Sequence, residues 1–267
     1  MSRIEIDTES GTVELDSAAC LTHDAAIRRT LRSARAPRAD DCPEPEAGDR
    51  VVNLTFHGVG RPPRALEDGE SAYWLSVEEF VPILDAVGGR PDVRLTFDDG
   101  NASDADAVLP QLANRGFCAR FFVPAAYVGA AGFLEAARLR EIAAAGMTVG
   151  SHGMWHRSWT GLADAELTDE VVAAKDRLEQ VLGDRVDEAA CPFGAYDWRV
   201  LRTLREAGFR HVFTSDRGAS ARSAWLQARN TVRRGDSPED VLRLVDRRVG
   251  AIEELARNVR LAVKRWR

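Results

Sequence analysis

Two adjacent carboxylates, Asp98 and Asp99, close the stretch LTFDDG that runs from Leu95 to Gly100. Like charges this close repel, and one would have its pKa raised unless a cation sat between them. A metal ion resolves the conflict, so the chain must be searched for further ligands. The stretch SHGMWH, Ser151 to His156, places two imidazoles, His152 and His156, four residues apart. On a helical turn that spacing puts both on one side, suited to a shared metal. A lone H-x-x-x-H is a weak signal. Joined to Asp99 it becomes a two-histidine, one-carboxylate set with coordination positions left open for water and substrate, as in catalytic zinc sites. One aspartate then binds the ion, while its neighbour is free to take a proton from an activated water.

Elements must bring these residues together from distant parts of the chain. From Val51 onward, short β-rich runs alternate with helical patterns. The strand candidates are VVNLTF at Val51, VRLTF at Val93, CARFFV at Cys118, MTVGS at Met147, DEAACPF at Asp187, RHVFTS at Arg210 and ARNTV at Ala228. Helical patterns begin at Ser76, where Ser76 and Glu79 make a capping box, and cover Asp104 to Arg115, Phe133 to Ala145, Ala163 to Leu182 and Asp197 to Ala207. Gly116, Gly146, Gly183 and Gly208 follow four of these, where a left-handed closing residue is wanted. Ser237-Pro238 opens a last helix, with a break expected at Gly250.

Such alternation predicts a parallel sheet with right-handed crossovers, and about seven units over roughly 200 residues suit a closed or nearly closed α/β barrel. The polar residues agree with it. His57, Asp98, Asp99, His152, Pro192-Phe193-Gly194 and Ser215-Asp216 all fall at the C-terminal ends of strand candidates, where barrels of this type build active sites.

The chain has 267 residues and a net charge of −6, which argues against a dedicated nucleic-acid binder. The expected organisation is an N-terminal extension over 1–33, a Pro-, Ala- and charge-rich linker over 34–49, the barrel over 50–236 and a basic helical segment over 237–267. That last segment is read as a solvated face, with peripheral contact to an anionic membrane as the alternative. Acidic residues stand where a secretory signal would be apolar, and no long apolar run follows, so a cytoplasmic protein without a transmembrane segment is expected. Cys20, Cys42, Cys118 and Cys191 form no CxxC pair and are expected as free thiols.

In order and spacing, TFDDG from Thr96, SHGMWH from Ser151 and CPFGAYD from Cys191 resemble the first three motifs of the polysaccharide deacetylase (NodB-homology) family, carbohydrate esterase family four. The resemblance runs from about Val51 to Arg234. It implies a NodB-like distorted barrel that hydrolyses N-acetyl, sometimes O-acetyl, groups on amino sugars with zinc or a similar divalent ion such as cobalt. By the same resemblance Asp98 is the general base, Asp99, His152 and His156 bind the metal, and Pro192, Phe193 and Gly194 line the substrate groove. The substrate expected is an N-acetylated sugar, glycan precursor or glycoconjugate.

Two departures stand out. The family often carries an arginine two residues before the third-motif proline, where it orients the base; that position here is Ala190. Many members also use a late histidine to protonate the leaving amine, and none lies between Ala219 and Arg267. His211 falls at the start of its strand, the wrong end of the barrel. His57 is the remaining candidate donor, with a water or Asp216 as alternatives. Arg229 is read as reaching the site or as a surface ion pair, and Trp155 and Trp159 as sugar-stacking or core residues. Two rival functions remain: a metal-free amide hydrolase of the same fold, as in relatives that act on cyclic ureides, against which both His152 and His156 argue, and, from these departures, a carbohydrate-binding pseudoenzyme.

Overall fold

The computed structural model describes residues 48–248, 259 and 261–264. The chain divides between Pro37 and Arg38, and the first unit lies wholly outside the described residues. So do almost all of the expected linker and the expected break at Gly250.

Seven parallel strands form the barrel: β1 (Arg50–Phe56), β2 (Val93–Asp98), β3 (Ala119–Val123), β4 (Thr148–Ser151), β5 (Glu188–Ala190), β6 (His211–Thr214) and β7 (Leu226–Thr231). They pair in chain order, and β7 returns to β1 with Asn53 opposite Arg229, which closes the ring. Every strand candidate is one of the seven. A two-residue strand, Ser220–Ala221, runs antiparallel to the start of β1 and was not foreseen.

Helices α1 (Val77–Val87), α2 (Leu109–Arg115), α3 (Ala136–Ala144), α4 (Asp164–Thr168), α5 (Ala174–Leu182), α6 (Trp198–Glu206) and α7 (Pro238–Asp246) cover the outside. The capping box is present: Ser76 Oγ accepts from Glu79 N, and Glu79 accepts from Ser76 N. Ser237 caps α7 in the same way. The helix expected from Phe133 begins at Ala136, because Phe133 is bridged to Asn101 in extended form. Two expected helices contain π-helical turns, Asp104–Val108 ahead of α2 and Asp169–Ala173 between α4 and α5.

Alternation along the strands separates two interiors. Outward-facing Leu54 and Phe56, Leu95 and Phe97, and Phe121 and Val123 pack with Phe80, Ile83 and Leu84 of α1 into the main apolar core. Phe97 stacks between Phe56 and Phe121 at 5.3 and 4.9 Å. The opposite faces point into the barrel and are largely polar. Phe122, Ala190 and Phe213 form a separate small cluster there. Two residues earlier on the same strands, Glu188 pairs with Arg120 at 2.9 Å and with His211 at 3.3 Å. His211 therefore sits at the N-terminal end of the strands, as expected.

The expectation of free thiols needs correction. Cys118 is disulfide-bonded, while Cys191 is a buried free thiol pushed up to about 12 by burial. The expectation had rested on compartment alone, not on geometry.

Candidate metal centre and active site

The first part of the site is the end of β2. Asp98 is the last strand residue and points into the barrel, and Asp99 follows with φ 77. That left-handed step turns the second carboxylate onto the same side as the first, which an extended chain would not do. Gly100 continues the turn at φ 64, with Val123 filling the space a Cβ would need, at 2.8 Å.

The second part is the loop after β4. Here the helical-turn reading is wrong: β4 ends at Ser151, and the loop turns through Gly153 at φ 84 and His156 at φ 51. The loop still does what the spacing asked for. The His152 and His156 rings lie 4.8 Å apart. His156 Nε2 is 3.3 Å from Asp99 Oδ1, and His152 Nε2 is 3.7 Å from the same oxygen and 3.6 Å from Asp98 Oδ2. One ligand atom from each of Asp99, His152 and His156 falls within 4.8 Å of the others.

These residues fit a divalent cation on three grounds. Asp99 Oδ1 is buried and has no hydrogen-bond partner among the described residues, a costly state unless a cation accepts it. His152 Nδ1 donates to the Ala190 carbonyl at 2.9 Å, which fixes the ring and turns Nε2 toward Asp99. Burial, joined by His156 and opposed by Asp98 and Asp99, lowers the His152 pKa to about 4, so the imidazole is neutral and ready to ligate.

Asp98 has a different environment. Burial alone would raise its pKa, but the Arg229 guanidinium, helped by His152, reverses this and holds it at about 2. Arg229 on β7 grips both carboxylate oxygens, at 2.6 and 2.8 Å, and both side chains are buried. It is therefore no surface ion pair. It places beside Asp98, from another strand, a guanidinium where the expected third-motif arginine is replaced by Ala190. The register explains how: Asn53 lies opposite both Arg229 and Arg94, so β7 and β2 flank β1 and Arg229 reaches Asp98 inside the barrel.

Around this pair, Pro192, Phe193 and Gly194 form a tight turn at the end of β5, with Phe193 at φ 56, 70% exposed and 4.9 Å from the His156 ring. Trp155, 57% exposed, lies on the loop between His152 and His156. Trp159 is buried, so it belongs to the core. His57 is half-buried, 5.2 Å from Tyr73, and close enough to Asp98 to help lower its pKa. His57 Nδ1 has no partner among the described residues. Asp216 accepts from Tyr196 at 2.6 Å, Thr214 at 2.8 Å and Lys264 at 2.7 Å, and is fully committed as an acceptor. Lys264 also donates to the Gly194 carbonyl at 2.8 Å, a tie between the C-terminal segment and the rim that no sequence signal announced. Asp197 caps α6, as its position after the motif suggested.

Residues 86–212 match the family model for polysaccharide deacetylases. A chitooligosaccharide deacetylase of Bradyrhizobium is 31% identical over 145 residues, covering 51% of this chain and 64% of that enzyme. The chain spans between half and two thirds of the length of the curated relatives it matches. Among solved structures, the deacetylase PplD of Streptococcus pyogenes, in complex with acetate, superimposes with a TM-score of 0.67 at 19% identity, covering 74% of this chain and 99% of that one. IcaB from Ammonifex degensii gives 0.62 at 23%, covering 75% and 98%. These likenesses show the same barrel.

Proposed function

We propose that the barrel, whose residues 86–212 match the family model for polysaccharide deacetylases, is a metal-dependent hydrolase of that family removing acetyl groups from an amino sugar or its conjugate. One observation carries the reading: an orphaned Asp99 oxygen beside two histidines, with a second carboxylate held separately by an arginine.

A divalent cation, zinc or a similar ion, held by Asp99, His152 and His156 would polarise the acyl carbonyl and make a water nucleophilic near neutral pH. Asp98 accepts that water's proton. Arg229 keeps its carboxylate ionised and fixed in orientation, so the base is available across the whole working range. The Phe193 backbone N–H, at the tip of its turn, stabilises the oxyanion as the carbonyl becomes tetrahedral. Exposed Phe193 and Trp155 offer apolar faces for sugar rings on either side of His156. His57 delivers the proton that the leaving amine needs. Asp216 is unsuited to that task because its oxygens are already taken by three donors.

The test is acetate release from N-acetylglucosamine oligomers of increasing length, with zinc supplied. Wild type is expected to release acetate, and Asp98→Asn is expected to lose at least about a hundredfold in rate while keeping its metal. A protein that binds these oligomers without turnover would leave a sugar-binding module. Turnover unaffected by chelation would indicate a metal-free amide hydrolase.

A further inference from the structure

The metal loop contains an unfavourable residue at its functional point. His156 adopts φ 51, a conformation that L side chains rarely take, and it does so as a candidate ligand. Something must hold the backbone there. The residues on either side of it converge on one buried carboxylate, Glu170, whose side chain is 0% exposed. Glu170 Oε2 accepts from Met154 N at 2.9 Å and from Trp155 N at 3.3 Å. Glu170 Oε1 accepts from Arg157 Nε at 2.7 Å. The chain is thus gripped at 154 and 155 before His156 and at 157 after it.

The surroundings are built to admit that carboxylate. A Cβ on Gly153 would lie 2.7 Å from Glu170 Oε2, so the loop passes over the acid at a residue without a side chain. Gly153 also needs its φ of 84, which glycine adopts at no steric cost. Glu170 itself stands in the π-helical turn Asp169–Ala173, where one extra residue per turn shifts the helix register. On the strand side, Ala125 N and Ala126 N donate to the Gly153 and Met154 carbonyls at 2.8 and 3.0 Å. Those bonds anchor the start of the loop, and the Tyr127 hydroxyl donates to the Trp155 carbonyl at 3.3 Å, but among these contacts only the carboxylate holds the chain on both sides of His156.

We propose that Glu170 is a positioning residue for the metal centre: its carboxylate clamps the loop on both sides of His156, through backbone N–H groups before it and the Arg157 side chain after it, and thereby sets the affinity of the site for a divalent cation. The proposal rests on the metal-dependent reading above. A carboxylate is required because all three partners are donors. An amide would present N–H groups to some of them and lose the charge-assisted bonds.

The experiment is a zinc affinity measurement by competition with a chromophoric chelator, on wild type, Glu170→Gln and Arg157→Ala, each checked for folding by circular dichroism. Glu170→Gln is expected to bind zinc about 10- to 100-fold more weakly. Arg157→Ala, which removes one partner of the clamp at a partly exposed position, is expected to weaken binding by a smaller factor. Rate at saturating zinc should recover in both, since neither group touches substrate. A folded Glu170→Gln with wild-type affinity overturns the proposal, even if its melting temperature falls, because the role is then structural only. If Glu170→Gln does not fold, Arg157→Ala decides in the same way. A wild type that binds no zinc overturns this inference together with the reading it rests on. Zinc bound equally by wild type and variants overturns this inference alone.

Discussion

At the scale of single residues, two neighbouring aspartates are given opposite tasks by their surroundings. Asp98 is locked to Arg229 by two short hydrogen bonds, and Asp99 presents an unpartnered oxygen to two histidines. Arg229→Met would leave Asp98 as a buried charge without its partner, which costs about 3–5 kcal/mol of stability. Activity at saturating metal should fall about a hundredfold, and Arg229→Lys should recover part of it; steady-state kinetics beside chemical denaturation checks both. The grouping of Asp99, His152 and His156 was legible from residue type and spacing, although the helical turn invoked for His152 and His156 was not the device used. Arg229 was only half legible. The vacancy at Ala190 signalled that a cation was missing, but its replacement depends on β7 closing against β1, a pairing that local sequence does not carry. Glu170 and Lys264 had no signal at all, because each meets its backbone and side-chain partners only once distant loops are folded together.

At the scale of elements, the π-helical turns follow the two site loops, and each contains a buried acid. Glu170 is satisfied by its loop. Asp104 is not: both of its oxygens are buried without a partner among the described residues. Burial first, then Asp99 and Asp98, push its pKa well above the usual carboxylate value. Its carboxyl is thus neutral in a pH range where the unfolded chain ionises, and that penalty grows as pH rises above about 4. Asp104→Asn removes it. The metal-free variant should melt higher than wild type at pH 7, with the gap closing toward pH 4; equal melting temperatures at pH 7 would contradict this. Glu188 has the opposite sign. Burial would raise its pKa, but Arg120, with His211 and Arg94, holds it below the usual value. Its contribution is present above the unfolded pKa of about 4.3 and is lost as pH falls through the lower folded value. Glu188→Gln should therefore cost stability at pH 7, and the difference from wild type should shrink in acid, as measured by urea unfolding at both pH values. Strands, caps and closing glycines were readable because they follow local periodicity. The π-helical turns were not, since an inserted residue leaves the apolar pattern of a helix nearly intact.

At the scale of the molecule, the barrel has one apolar core outside its strands and a largely polar column within them. The polar residues that alternate inward on β1, β2, β5 and β7 become an interior through ring closure. In the small cluster of Phe122, Ala190 and Phe213, Phe122 pairs in register with Asp98 and lies 5.4 Å from the Arg229 guanidinium, while the Glu188 ion pairs sit two residues earlier on the same strands. The barrel and the grouping of Asp99, His152 and His156 follow from strand–helix alternation and motif order. The way the C-terminal segment meets the rim through Lys264 does not. Everything proposed for the chemistry depends on Asp99, His152 and His156 holding one divalent ion. The most direct measurement is bound metal per chain by elemental analysis, after reconstitution with zinc and removal of the excess, for wild type beside His156→Ala. The expected result is about one zinc in wild type and a large loss in the variant. Absence of zinc from a folded wild type, or retention of a full equivalent by His156→Ala, would contradict the account.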